Sequence, residues 1–375
     1  MACGINCVYA EDVVINMINR TVKNSNRQKN KAKESVGNFI KMCFFRVRFF
    51  LKRIWIAMVS LVLIALFGFI LIKLMPGNPV DTYAQQLMME RGMKYEEARK
   101  LAVTLLNYDP NKSIFEQLSY YVKSLLRFNL GTSMRRPDVS VNLLIKQFLP
   151  WTLFISSIAL VISFIVGIFL GSSIAWKRNS LMEGAISSYI IVSSSIPDYL
   201  WGIILVFIFG VKFKVFPVQG NYDILLELEG WPWLLNVLYH AALPIVAYSI
   251  VQIGGWALAM RGSCIGVLGE DYIYAAKARG IPEKIIVKRY LRRNAMLPLI
   301  TSLAMSLAAL FGGSPLIETI FNYPGIGQQF GISIASRDYF IIQGLTLFMS
   351  FIVIIANMIA DSLYSVIDPR VRRDV

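Results

Sequence analysis

Six stretches of this chain are too apolar and too long to be hidden in a soluble core, and they constrain everything else about it. The first runs from about Ile54 to Leu74. About 21 residues at a rise of ~1.5 Å give ~31 Å, which matches the hydrocarbon core of a bilayer. The others are roughly Leu149–Trp176, Gly184–Val211, Val237–Met260, Leu297–Phe311 and Phe340–Ile367. With 56% hydrophobic and only 16% charged residues, the apolar surplus has to face lipid. The expected fold class is therefore an all-α polytopic membrane protein with six transmembrane helices. The fifth stretch is short and ends in Gly312-Gly313-Ser314-Pro315, so a broken or re-entrant outer end is expected there.

A net charge of +15 raises nucleic acid as a partner, but the placement of the charge argues against it. Lys and Arg number 11 in residues 1–53, 2 in 177–183, 8 in 261–296 and 3 after Ile367, against Lys212, Lys214 and Arg337 in the short loops of the other face. Such spreading over alternate loops is what insertion demands, and the positive-inside rule puts both termini in the cytoplasm. Residues 1–53 are expected to be a basic cytoplasmic extension, too long and dispersed in charge for a signal peptide, so the helix 54–74 is retained. Cys3, Cys7 and Cys43 fall in that extension, where neither a disulfide framework nor a metal site is expected, since no second His/Cys pair accompanies them.

Residues 75–147 carry 10 basic and 7 acidic side chains and are expected to fold as a small external helical cap between the first two membrane helices. One helix is predicted over about Tyr83–Leu106. A second is predicted from Ser113-Ile-Phe-Glu116, a capping box, to about Arg127, with Leu118, Tyr121, Val122 and Leu125 as its apolar stripe. Such a cap either shields the pore mouth or receives a delivered ligand or its carrier. Residues 148–367 form the remaining five-helix core, and 368–375 a cytoplasmic tail.

The cytoplasmic loop 261–296 carries the most specific pattern. It begins Gly269-Glu270-Asp271-Tyr272-Ile273-Tyr274-Ala275-Ala276-Lys277-Ala278-Arg279-Gly280. Ala276 and Gly280 are four residues apart, so on the expected helix they stack on one face nearly free of side chain, open to close approach by another protein. After Pro282 a basic helix is predicted, with Lys284, Lys288 and Arg292 at spacing four. Within the spans, Gly167 and Gly171 make a step suited to close helix packing. Ser193-Ser194-Ser195-Ile196-Pro197 either satisfies backbone groups around the proline or lines a polar path. Asn357 and Asp361, one turn apart in the last span, should face the bundle or a partner rather than lipid.

Glu270 to Gly280, followed by Arg293-Asn-Ala-Met-Leu-Pro298, resembles the coupling loop of the dipeptide/oligopeptide permease family of ABC importers, in their first membrane subunit. Pro76-Gly77-Asn78-Pro79, Leu130-Gly131-Thr132-Ser133 with Pro137 and Val139, Leu149-Pro150-Trp151-Thr152 and Ser195-Ile196-Pro197 agree in order. So do His240 with Leu243-Pro244, Glu318 through Gly327, Arg337-Asp338-Tyr339 and Asp368-Pro369-Arg370. Tyr274 departs from that family's usual acidic residue, and the amino-terminal extension is longer than the resemblance covers.

The resemblance implies the type I ABC importer permease fold in a bacterial or archaeal cytoplasmic membrane. It implies a coupling loop, with Asp271, Ala275, Ala276, Arg279, Gly280 and Lys284, that docks on separate ATPase subunits. Ser194, Ser195, Pro197, Glu318, Asn357 and Asp361 are the candidates for a translocation path or gate. The implied partners are a second homologous permease forming a heterodimer, two ATPases that use ATP and Mg, and an extracytoplasmic binding protein. No cofactor or catalytic residue is expected on this chain, which has no G-x-x-x-x-G-K-[ST] loop, G-x-S-x-G elbow or H-E-x-x-H pair. The single histidine, His240, is expected to hydrogen-bond rather than catalyse. A secondary transporter would show inverted repeats and paired intramembrane charges, neither of which is evident. Di- or oligopeptides are the first expectation for the cargo, with short oligosaccharides or nickel as alternatives.

Overall fold

The computed structural model describes residues 51–70, 73–74, 78–106, 112–134, 136, 138–223 and 225–367, with side chains for all of these but 79, 308 and 360–367. Cys3, Cys7, Cys43, Pro76-Gly77, Pro137, the tail 368–375 and the Asp361 side chain lie outside what is described. Residues 1–60 and 61–375 are separate units, and of the first the structure describes the opening turns of helix α1 (Leu51–Ile70). Among the described residues there is no strand, only an isolated bridge between Thr132 and Ser140.

Four helices are long and apolar enough to cross a membrane, and six spans result when two bent helix pairs each count as one. On α1, Leu63 and Phe67 stand 60% and 62% exposed, the mark of a surface that lipid covers. Helix α5 (Val141–Trp176) starts earlier than expected, because Ser140 accepts from the Leu143 N–H at 3.2 Å and caps it there. The expected boundary between cap and core at 147/148 therefore falls inside a helix. Helix α8 (Gly230–Leu268) is likewise longer than the apolar stretch that announced it.

The expected span Gly184–Val211 is two helices, α6 (Leu181–Ser195) and α7 (Asp198–Leu205, continuing as a π-helical stretch to Lys212), bent by 101° at Ile196-Pro197. Proline supplies no N–H and pushes the residue before it out of the helical region, and Ile196 has ψ 123°.

Outside the spans, the helix expected over 83–106 is also two. Helix α2 (Pro79–Arg91) starts on Asn78, whose Oδ1 accepts from the Val80 N–H at 3.0 Å. It stops at Gly92, which takes φ +64° and donates its N–H to Met88 O. A β-carbon is disfavoured at that φ, so glycine ends the helix. Helix α3 (Tyr95–Leu106) folds back on α2, burying Val80, Ala84, Leu87, Ala98 and Ala102, with Arg99 Nε 3.1 Å from Asp81 Oδ1. Helix α4 (Ile114–Leu126) carries the expected capping box. Of its expected stripe, Leu118, Tyr121 and Leu125 are half-buried, whereas Val122 is 43% exposed and Gln117 is buried instead.

The core is the parallel pair α5 and α8, in register from Ala159 beside Ser249 to Gly171 beside Ala257 and Met260. A β-carbon at Gly167 would stand 2.4 Å from Trp256 Cβ, and one at Gly171 would stand 2.3 Å from the Ala257 carbonyl oxygen. The glycine step lets the two backbones touch, as its spacing predicted.

Helices α9 to α14 follow: α9 (Asp271–Ala278), α10 (Glu283–Ile285), a π-helical stretch Ile286–Arg292, α11 (Arg293–Ala295), α12 (Leu297–Ala309), a 3₁₀ turn at Leu310–Gly312, α13 (Pro315–Ile320) and α14 (Ile326–Ala335). The chain bends by 50° between α11 and α12, and the expected break at 312–315 is where α12 gives way to α13.

Helix α15 (Tyr339–Ile367) closes the bundle. At its start, buried Asp338 accepts from Ser133 Oγ and, at 3.1 Å, from the Met134 N–H, stitching Ser133 and Met134 to the last span. Asp338→Ala would remove this acceptor from both, at about 1–3 kcal/mol. The variant should melt earlier in detergent than wild type and be cut faster by protease within 129–140. A melting curve superimposable on wild type would remove Asp338 from this role.

Candidate coupling loop and translocation path

Helix α9 has two distinct faces. Ile273 and Ala276 are 0% and 3% exposed and pack with Ile286, while Trp176, Val267, Ile281 and Tyr290 close around them. Asp271, Tyr274, Ala275 and Ala278 fall at i, i+3, i+4 and i+7 and all are exposed. The small face expected from Ala276 and Gly280 therefore does not form. Ala276 points into the protein, and Gly280 lies beyond the helix end, where it takes φ +68° and donates its N–H to Lys277 O. Its role is to let the chain turn, since a β-carbon there would touch nothing within 4 Å.

Trp176, at the end of α5, braces the loop. Its Nε1 donates to Glu283 Oε2 at 3.3 Å, and Lys277 Nζ lies 5.0 Å from its ring centroid. The expected basic row also divides. Lys284 and Lys288 are exposed, as is Arg279, but Arg292 sits 4.2 Å over the Phe169 ring and donates from Nε to Ser172 Oγ at 3.1 Å. The π-helical stretch widens the turn and moves Arg292 out of line with the other two.

Glu318 is fully buried rather than opening onto a path. Its Oε1 accepts from Thr152 Oγ1 at 2.9 Å and its Oε2 from the Gln328 N–H at 2.8 Å. Thr152 Oγ1 in turn accepts from the Ile326 N–H at 2.8 Å. Glycines make room for the carboxylate: a β-carbon at Gly325 would stand 2.2 Å from Oε2, and one at Gly313 2.5 Å from Oε1. Burial pushes the carboxyl up to about 7, against the pull of the donors from Gln328, Thr152 and Gly327. The arrangement is a buried brace joining α5, α13 and α14.

Ser194 and Ser195 are exposed, and their hydroxyls donate to Ile190 O and Ile191 O at 2.7 and 2.8 Å. The serine run thus serves its own helix up to the break at Pro197. Asn357 is exposed on α15.

A model for the binding-protein-dependent transport system inner membrane component matches residues 163–373, which takes in the last part of α5 and the whole loop 261–296. The dipeptide transport system permease protein DppB of Bacillus subtilis is 34% identical over 326 residues, 87% of this chain and 98% of that protein. The chain belongs to this permease family. A probable peptide ABC transporter permease, y4tP, of Sinorhizobium fredii is 31% identical over 86% of this chain and 99% of its own length. The oligopeptide transport system permease protein OppB of Haemophilus influenzae is 28% identical over 87% and 99%. Among solved structures, an amino acid ABC transporter with histidines covers 60% of this chain and 94% of its own, with a TM-score of 0.42 and 16% identity.

The permease is thus a multi-pass, all-helical membrane subunit. His240 makes a hydrogen bond, Nδ1 to Asn236 O at 2.9 Å, within its own helix. Sequence reasoning missed Thr152 as the partner of Glu318, although its motif was noted, and missed Gln252 altogether. The signal for Gln252 was a lone amide in an apolar span, which needs a reason to be there.

Proposed function

We propose that this permease is one of two homologous, non-identical membrane subunits of an importer that carries di- and oligopeptides into the cell. Separate ATPases hydrolyse Mg-bound ATP and switch the bundle between inward- and outward-facing states, while an external binding protein delivers the cargo. Both termini and loop 261–296 are cytoplasmic, and residues 75–147 are outside. The chain itself carries no catalytic residue.

The observation that supports this best is the exposed face of α9. Asp271, Tyr274, Ala275 and Ala278 offer a low-relief surface on a short helix packed firmly from behind, within the family-matched region. A braced helix can transmit a push to α8, which precedes it, and to the Ile286–Arg292 stretch packed against it. Relatives whose names specify peptides favour that cargo over oligosaccharide or nickel.

Ala275→Trp tests the coupling. Bulk on the exposed face leaves the internal packing untouched but should overpack a docked ATPase by about 1–3 kcal/mol, weakening it roughly tenfold to a hundredfold. Import of a labelled dipeptide by the complete transporter should collapse while the permease accumulates normally in the membrane. Full import, with hydrolysis still stimulated by loaded binding protein, would remove α9 from coupling.

A further inference from the structure

Beside the α5–α8 contact, about halfway along both helices, is a cavity of about 440 Å³ bounded also by α12. Its volume falls within the ~300–1,000 Å³ of sites that hold small molecules. Its wall includes Tyr248, Gln252, Gly255, Ala259 and Ser306. Gln252 is held by one end, its Oε1 accepting from Ser163 Oγ at 3.3 Å. Among the described residues, neither the Gln252 amide N–H groups nor the Tyr248 hydroxyl has a hydrogen-bond partner. The Ser306 hydroxyl donates to Ser302 O at 3.0 Å and so keeps lone pairs to accept with. Around these groups the wall is bare: a β-carbon at Gly255 would meet nothing within 4 Å, and Gly255 and Ala259 are both exposed.

Unpaired amide and phenol donors at membrane depth cost several kcal/mol each in contact with hydrocarbon. The cavity therefore does not face lipid. Its chemistry also narrows the cargo. The lining offers the Gln252 amide, the Tyr248 hydroxyl and the Trp256 indole N–H as donors and the Ser306 hydroxyl as an acceptor, without a carboxylate, imidazole, thiol or cationic group, which suits neither a metal ion nor selection by side-chain charge. It suits a neutral group with both a C=O and an N–H.

We propose that this cavity is a subsite of the translocation path that contacts the main-chain amide of a peptide in transit, with Gln252 donating to its carbonyl and Gly255 and Ala259 leaving room for any side chain. The inference rests on the peptide-importer reading above and deepens it. It places the cargo contact on α8 and α12 rather than at Ser194, Ser195, Glu318 or Asn357.

The test uses the complete transporter in cells and in vesicles. In a chain whose 4 cysteines are replaced, Ala259→Cys should react with a membrane-impermeant, water-soluble thiol reagent, and Leu258→Cys, exposed on the adjoining face, should not. Gln252→Leu should cut uptake of radiolabelled di- and tripeptides of alanine about tenfold, the loss of one buried hydrogen bond, and Gln252→Asn should restore part of it. Ser163 retains its bond to Leu160 O in the variant, so membrane accumulation and basal ATP hydrolysis should stay normal. Ala259→Cys that reacts only with a lipid-soluble reagent, or that crosslinks to the second permease, overturns the subsite. Labelling at Ala259→Cys together with undiminished uptake by Gln252→Leu overturns the peptide contact alone. A wild-type transporter that imports no such peptide, with Ala259→Cys still labelled, overturns the proposed cargo and leaves a water-lined path.

Discussion

Gly171→Leu should leave almost no folded permease. A β-carbon at position 171 would lie 2.3 Å from the Ala257 carbonyl oxygen and 2.7 Å from Met260 Cβ. The first of these is backbone, so no rotamer change relieves the clash, and α5 and α8 would have to part along the pair that organises the bundle. In lipid the separated helices gain nothing from water exclusion, because their association rests on close packing itself. Overpacking a core costs about 1–3 kcal/mol even where side chains can yield, and here they cannot, so about 3 kcal/mol or more is expected. Gly184→Leu is the matched control: nothing lies within 4 Å of a β-carbon there. Thermal unfolding in detergent and the amount recovered from membranes read the difference. A Gly171→Leu chain melting with wild type would mean that the two helices do not meet as described.

Glu318→Ala should be the most damaging change outside the α5–α8 contact. The carboxylate accepts from Thr152 Oγ1 and from backbone N–H groups of the 325–328 turn, all in the interior. Removing it strands those donors and empties the space that Gly313 and Gly325 leave for it. Loss of one partner from a buried charged network costs about 3–5 kcal/mol. Glu318→Gln should cost less, since the amide keeps one oxygen and nearly the same shape, although its NH₂ then faces a donor. The expected order of melting temperatures is wild type, then Gln, then Ala, with peptide import lost in Ala for want of assembled protein. A Glu318→Ala permease that accumulates and melts normally but does not transport would instead make Glu318 part of the path.

Much of this molecule was legible before any coordinates. A run of apolar residues reports its own burial in lipid, so the spans were readable, as were the capping box at Ser113 and Glu116 and the Gly167/Gly171 step. These signals are local: each depends on residues within about one or two turns of one another. Where a strong local breaker competed with periodicity, the breaker won. Gly92 divided one expected helix and Pro197 another, and a window that averages hydrophobicity passes over both.

What the sequence could not express is which distant groups meet. Thr152 and Glu318 are 166 residues apart, and Ser133 and Asp338 are 205 apart. Nothing in either segment names the other. The faces of α9 were likewise open: a spacing of four aligns Ala276 with Gly280 only while the helix continues, and the turn at Gly280 ends it, so the packing of Ile273 and Ala276 against Ile286 decided which face is free. Gln252 is one polar residue in an apolar stretch by sequence, and it becomes a wall of a cavity only when α5, α8 and α12 are brought together. By itself the sequence determined which stretches are apolar enough to cross a membrane and which family the chain resembles. The tertiary structure decided which side chains are buried braces and which are free to touch cargo or partner, because that depends on the surfaces packed against each one.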